Sequence, residues 1–68
     1  MSDAELRVVR YLPSNLTAAE IASELVVSTN TVRTHMRHIY AKLDAHTRSE
    51  AVGRARELGL VAPGTLRG

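Results

Sequence analysis

The sequence contains no cysteine, no phenylalanine and no tryptophan among its 68 residues. Without cysteine, disulfide bonds and thiolate metal sites are excluded, which suits a reducing cytosol and predicts a cytoplasmic protein. Without the two large aromatics, the core must consist of Leu, Val, Ile, Ala and Met, and so short a chain needs them to pack well. No uninterrupted apolar run exceeds three residues, so we expect neither a membrane span nor a signal peptide.

The sequence also lacks the motifs of common catalytic and metal sites. There is no Gly-rich phosphate loop, and no Ser, His and acid set with an orienting partner, so we expect no enzymatic activity. His35 and His38 are three residues apart, but zinc requires three or four ligands, and only His46 and scattered carboxylates could complete such a set. We therefore expect no cofactor and no metal. We expect His35 to be tied to the backbone and His38 to meet solvent or phosphate.

Four helix starts can be identified along the chain. Three follow the pattern S/T-x-x-E and begin at Ser2, Thr17 and Thr47, where the hydroxyl caps the amide three residues on and the Glu reaches back. The fourth is Ser28, which has Thr31 where the others have Glu. The predicted helices cover residues 3–12, 18–25, 29–43 and 48–58.

The predicted fold class is all-α, a compact four-helix bundle with no strand. Pro13 ends the first helix, and Asn15 and Asp44 can take the left-handed conformation of a tight helix exit. Because no helix is long enough to stand alone, the apolar faces must be buried together. The predicted core comprises Val8, Val9, Leu12, Ile21, Ala22, Leu25, Val32, Met36, Ile39, Leu43, Ala51, Ala55 and Leu58. We expect one domain over residues 1–60 and a flexible tail over 61–68.

The second and third helices are arranged like a helix-turn-helix. Only Val26 and Val27 separate the second helix from the cap Ser28, and so short a link holds two helices at a steep angle. At about 100° per residue, four polar residues of the third helix share the side opposite its apolar stripe. They are Asn30, Arg33, Thr34 and Arg37. Long donors and short polar groups suit the floor of a DNA major groove.

Positive charge is concentrated around the third helix. Residues 31–48 carry four cations against one acid, Asp44. The cations are Arg33, Arg37, Lys42 and Arg48. Such a stripe is typical of a polyanion binder, although a solvated helix face is the alternative. The start of the third helix also lacks the usual acid, so its free amides and the hydroxyls of Ser28, Thr29 and Thr31 suit a phosphate. Alternatively, Thr31 is simply an adequate residue for a helix start.

Three segments together resemble the LuxR-type helix-turn-helix domain, also called the GerE-like or FixJ/NarL effector domain, of bacterial transcription regulators. They are "EIA" at 20–22, "VS…TVRTHMRHIYAKL" at 27–43 and "RSEAVGRA" at 48–55. The resemblance implies four helices, with the third in the major groove and the fourth forming a two-fold dimer. It implies base contacts at Arg33, Thr34 and Arg37. It implies phosphate contacts near Thr17, Ser28, Thr29, Thr31 and Lys42.

The sequence departs from the family pattern at three positions. The family usually has Gly where this chain has Asn15 and Asp44; both tolerate a left-handed turn, so the departure concerns loop stability. The family often has Lys at position 33, and Arg33 favours bidentate contact with guanine.

The sequence therefore predicts the output domain of a bacterial transcription regulator that binds double-stranded DNA by sequence. We expect a homodimer through the fourth helix at Val52, Arg56 and Gly59, with RNA polymerase as a candidate partner and no membrane association. The alternative function is a protein-interaction or regulatory helical module without DNA specificity of its own. Salt-dependent DNA binding separates the two, because a purely protein-binding module should show none.

Overall fold

The computed structural model describes residues 1–61, and within them the chain forms four helices and no strand. The helices are α1 (Asp3–Tyr11), α2 (Ala18–Leu25), α3 (Thr29–Lys42) and α4 (Arg48–Glu57). The all-α prediction is confirmed, and every predicted helix boundary agrees to within one residue. Helix α3 packs against each of the other three. In the part of the chain that the structure describes, no helix has the length and apolar character needed to cross a bilayer.

The helix starts follow local capping chemistry. Helices α1 and α2 begin with complete capping boxes: Ser2 with Glu5, and Thr17 with Glu20. The third predicted box is only half formed, because Thr47 Oγ1 accepts from the Glu50 amide at 3.1 Å whereas Glu50 Oε1 accepts from the His46 amide at 2.8 Å. The Thr47 φ of −136°, against −74° at Ser2, accounts for the difference, since it turns the cap amide to another direction.

Three of the helices end with a residue in the left-handed region. Val26, Asp44 and Gly59 have φ values of 58°, 55° and 75°. In each case the next amide bonds back to the last helical turn, as in a Schellman motif. These bonds are Val27 N to Ala22 O at 3.0 Å, Ala45 N to Tyr40 O at 2.8 Å and Leu60 N to Ala55 O at 2.8 Å. The left-handed prediction is thus correct for Asp44.

The turn between α1 and α2 has a different construction, and the left-handed prediction for Asn15 is wrong. The Arg48 guanidinium at the start of α4 donates to four backbone carbonyls around this turn. They are those of Tyr11 at 3.1 Å, Leu12 at 2.9 Å, Ser14 at 2.9 Å and Leu16 at 2.6 Å. Because a side chain from α4 satisfies the carbonyls that end α1, this exit needs no left-handed residue.

The core matches the prediction except near the end of α4. Ten of the thirteen predicted residues are buried, and Leu25 and Met36 pack partly against them. Leu58, however, is 65% exposed, so its assignment to the core is wrong. The left-handed turn at Gly59 instead folds the following residues back, and Val61 is buried. Val61 was predicted as the first residue of the tail, and residues 62–68 lie outside the described part of the chain.

Candidate nucleic-acid interface

The link between α2 and α3 ends at the N-cap Ser28, and the helix turn that follows contains no acid. Ser28 Oγ accepts from the Thr31 amide at 3.1 Å and lies 2.8 Å from Thr31 Oγ1. The first turn of α3 contains no acid, whereas Glu20 stands in the first turn of α2 beside the cap Thr17. Ser28 is exposed and Thr29 and Thr31 are half-buried. The start of α3 therefore presents hydroxyls and backbone amides to an anion, and its own first turn contains no carboxylate that would repel one.

The four predicted reading residues lie together on the outer side of α3. Asn30, Arg33 and Arg37 are exposed and Thr34 is half-buried, while Val32 and Ile39 on the opposite side are fully buried. Within residues 1–61, neither arginine takes part in an ion pair. Both guanidiniums keep their donors available for a partner outside the domain.

The remaining cation of α3 is held by a carboxylate from α1. Lys42 Nζ donates to Glu5 Oε1 at 2.6 Å, and His38 Nδ1 lies 3.7 Å from Glu5 Oε2. The Lys42 hydrogen bond holds the pKa of the Glu5 carboxyl below its usual value, against desolvation, which acts to raise it. Glu5 is 6% exposed, the one buried charged residue of the described range.

Sequence reasoning missed the two longest-range contacts of the interface region. The S-x-x-E pattern accounts for the Glu5 bond to the Ser2 amide, but nothing in it points to a lysine 37 residues further on. Arg48 belongs to the basic segment of the sequence, yet its guanidinium donates to backbone carbonyls of the α1–α2 turn. Fewer cations of this region are therefore unpaired than the sequence implies. On α3, the unpaired ones are Arg33 and Arg37.

The histidines match their predicted environments only in part. His35 Nδ1 is buried and has no hydrogen-bond partner among the described residues, so the predicted tie to the backbone is wrong. The His38 side chain is 58% exposed, as predicted, but it also faces Glu5. Across residues 1–61, no three His, Cys, Asp or Glu side chains are grouped so that they could hold a metal ion.

Two of the predicted dimer residues, Val52 and Arg56, lie on α4, and the third, Gly59, follows its end. Val52 and Arg56 are half-buried and border a depression with Pro13 and Ser14. Arg56 Nε is buried and has no partner in the described residues. A Cβ added at Gly53 would meet nothing within 4 Å, so this face has room for another surface. Gly59 is exposed and holds the left-handed position that ends α4.

Comparison with known proteins identifies the family of this fold. The family profile described as "Bacterial regulatory proteins, luxR family" matches residues 1–55. The chain is similar to the Fimbriae Z protein of Escherichia coli K12, with 38% identity over 61 residues, or 90% of this chain. It is also similar to the HTH-type transcriptional activator RamA of Corynebacterium glutamicum, with 39% identity over 87% of this chain. The HTH-type transcriptional regulator MalT of Serratia proteamaculans is 36% identical over 85% of it.

These relatives are all longer than the region they share with the chain. The matched region spans 29% of the Fimbriae Z protein, 21% of RamA and 6% of MalT. No solved structure matches the chain.

Proposed function

This chain belongs to the luxR family of bacterial regulatory proteins, and from that premise we propose that it binds duplex DNA by sequence, with α3 in the major groove, as the output domain of a longer transcription regulator. DNA-binding transcription regulation is the activity that the family and its named relatives support. The groove, the contacts and the dimer are our proposals.

The observation that carries the proposal is the pair of unpartnered arginines on the outer side of α3. Arg33 and Arg37 are one turn apart and exposed, and no acid of residues 1–61 neutralises them. Arginine can donate two parallel hydrogen bonds to the O6 and N7 atoms of guanine, the commonest specific contact in the major groove. Asn30 and Thr34 flank the arginines with short polar groups that fit beside base edges.

We propose that the backbone is held at the start of α3. Ser28, Thr29 and Thr31 surround free helix amides without a carboxylate, and this arrangement supports binding of a phosphate there. Thr17 at the start of α2 is the fourth proposed contact, although it shares its turn with Glu20. Lys42 is the fifth predicted contact, and because Glu5 Oε1 lies 2.6 Å from its ammonium, we propose that it offers a phosphate little of its charge in the wild-type protein.

We propose a two-fold dimer on DNA through Val52 and Arg56, with Gly59 at the edge of the contact. Three observations support it: the half-buried valine, the open space over Gly53 and the exposed Leu58 just after the end of α4. Two such domains would contact half-sites about one helical turn apart.

The experiment is selection of bound duplexes from a random DNA pool, followed by titration of a selected and a scrambled duplex at several salt concentrations. We expect tighter binding to the selected duplex and a steep fall in affinity from about 50 to 200 mM salt, because contacts to phosphates release counterions. Binding that is insensitive to salt would contradict the proposal and favour a protein-interaction module.

A further inference from the structure

Glu5 makes more contacts than a helix cap requires. It completes the capping box of α1 by accepting from the Ser2 amide at 3.3 Å, as Glu20 does for Thr17 in α2 while remaining exposed. Glu5 is instead buried, and its two oxygens face Lys42 at 2.6 Å and His38 at 3.7 Å. Capping alone does not explain a buried carboxylate that faces both a lysine and a histidine of another helix.

Those partners lie beside the reading side of α3. At about 100° per residue, His38 and Lys42 share one flank of the helix, between the polar side that carries Arg37 and the buried side that carries Ile39. The Lys42 side chain is half exposed, so its ammonium is positioned at the boundary between α1 and solvent. A phosphate reaching that flank would meet the ammonium and, just behind it, the carboxylate.

We propose that Glu5 is a positioning residue of the DNA interface, which holds Lys42 against α1 and withholds most of its charge from the phosphate backbone. This inference rests on the proposed function. A cation contributes to the salt dependence of DNA binding when it neutralises a phosphate and releases counterions. A lysine already neutralised by a carboxylate at 2.6 Å releases few, so binding through α3 depends mainly on Arg33 and Arg37.

The test measures the affinity for a random duplex at several salt concentrations and compares the salt slope, which is the slope of log affinity against log salt concentration. The four proteins are wild type, Glu5→Gln, Lys42→Met and the double variant. Glutamine keeps the size of Glu5 and an acceptor oxygen for the Ser2 amide but removes the charge. We expect Glu5→Gln alone to steepen the slope by about 0.9, a further three- to fourfold loss of affinity between about 50 and 200 mM salt. Lys42→Met and the double variant should keep the wild-type slope.

The same change of charge at an exposed position provides the control. Asp3→Asn removes a carboxylate from α1 at a site that is exposed and, within residues 1–61, unpaired. It should leave the slope unchanged. A purely structural role for Glu5 would lower the melting temperature of Glu5→Gln and leave its slope equal to that of wild type.

Two results would overturn the inference. One is an equal salt slope in all four proteins. The other is a salt slope that is shallower by about one unit in Lys42→Met than in wild type, which is the result expected if Lys42 were freely available to a phosphate. If Glu5→Gln does not fold, the salt slope of Lys42→Met alone decides whether the charge of Lys42 is withheld by Glu5 or is freely available to a phosphate. A wild-type protein without salt-dependent DNA binding would remove the proposed function and this inference together, whereas equal slopes in binding-competent variants remove only the inference.

Discussion

At the residue scale, Val26 at the end of α2 has a left-handed backbone conformation that is unfavourable for a β-branched side chain. Val26 has a φ of 58° and is 88% exposed, and the equivalent positions after α3 and α4 hold Asp44 and Gly59. The left-handed conformation costs an L-residue roughly 1–2 kcal/mol, and a branched Cβ has no compensating hydrogen bond to offer. The short link between α2 and α3 places Val26 at this turn, where the Val27 amide bonds back to Ala22 O, and no local sequence signal at Val26 indicates it.

We therefore predict that Val26→Gly stabilises the domain. Relief of the left-handed strain should exceed the additional backbone entropy of glycine in the unfolded chain, leaving a gain of about 0.5–1 kcal/mol. Thermal unfolding should shift upward by several degrees, since about 1 kcal/mol corresponds to 4–8 °C in a domain of this size. Val27→Gly, at a position without positive φ, is the matched control and should lower the melting temperature.

The ionisation of Glu5 makes stability depend on pH in a defined direction. Lys42 lowers the folded-state pKa of this carboxyl below its ordinary 4.5, so the carboxylate stabilises the fold at every pH above that value. The contribution is lost as pH falls from about 4.5 through the folded pKa. Unfolding by urea, measured from neutral pH down to about pH 3, should show this loss.

The variant Glu5→Gln isolates the contribution of that carboxyl. It should be less stable than wild type at neutral pH, and the difference should shrink as the solution is acidified. Glu24→Gln, at an exposed residue of α2 that makes no ion pair within residues 1–61, should not change the pH profile. A difference between wild type and Glu5→Gln that stays constant down to pH 3 would contradict the assignment.

At the element scale, contacts within one helix could be predicted from the sequence and contacts between helices could not. The four starts depend on hydroxyls that reach an amide three residues away, and all four were correctly placed. The Arg48 contacts to the α1–α2 turn and the Glu5 pairing with Lys42 join residues 32–37 apart. Such pairs depend on how the helices pack, so the errors at Asn15 and the missed role of Glu5 share one cause.

The acid-free start of α3 predicts opposite effects of one substitution on folding and on binding. Thr31→Glu would complete a capping box with Ser28, as in α1 and α2, and favour the helix by about 0.3–1 kcal/mol. The same carboxylate would repel the proposed phosphate, and we expect DNA affinity to fall on the order of tenfold, or about 1.4 kcal/mol.

Thr31→Gln is the matched control for that substitution, because its amide can complete the box without a charge. It should retain DNA affinity to within a few-fold of wild type. Equal affinities for the Glu and Gln variants, measured by titration at low salt, would show that no phosphate approaches this helix start.

At the scale of the whole molecule, the positions of the charges are more informative than their sum. The net charge is +2, but Arg48 is occupied by carbonyls, Lys42 by Glu5 and Arg54 by Asp44 and Glu57. The arginines on the outer side of α3 remain uncompensated by the described residues. We propose that this side of the domain meets the DNA and that the surface around Val52 meets a second subunit.

If the dimer forms through Val52, a substitution there should remove cooperative binding to two half-sites without changing the affinity for one half-site. Val52→Glu places a charge in the proposed contact, where a facing copy would have to desolvate it. Cooperative binding to a duplex with two half-sites should be lost, while affinity for a single half-site and the helical circular dichroism remain close to wild type. Unchanged cooperativity on the double site would exclude this surface as the interface.

The most direct test of the central proposal, that α3 reads base edges through its free arginines, is titration of Arg37→Ala against a selected and a scrambled duplex. Arg10→Ala serves as a control of equal charge on the exposed side of α1. We predict that Arg37→Ala costs about 1–3 kcal/mol on the selected duplex and little on the scrambled one, and that Arg10→Ala changes neither. A loss of equal size on both duplexes would contradict the proposal, because it would mean that Arg37 holds the backbone without reading the sequence.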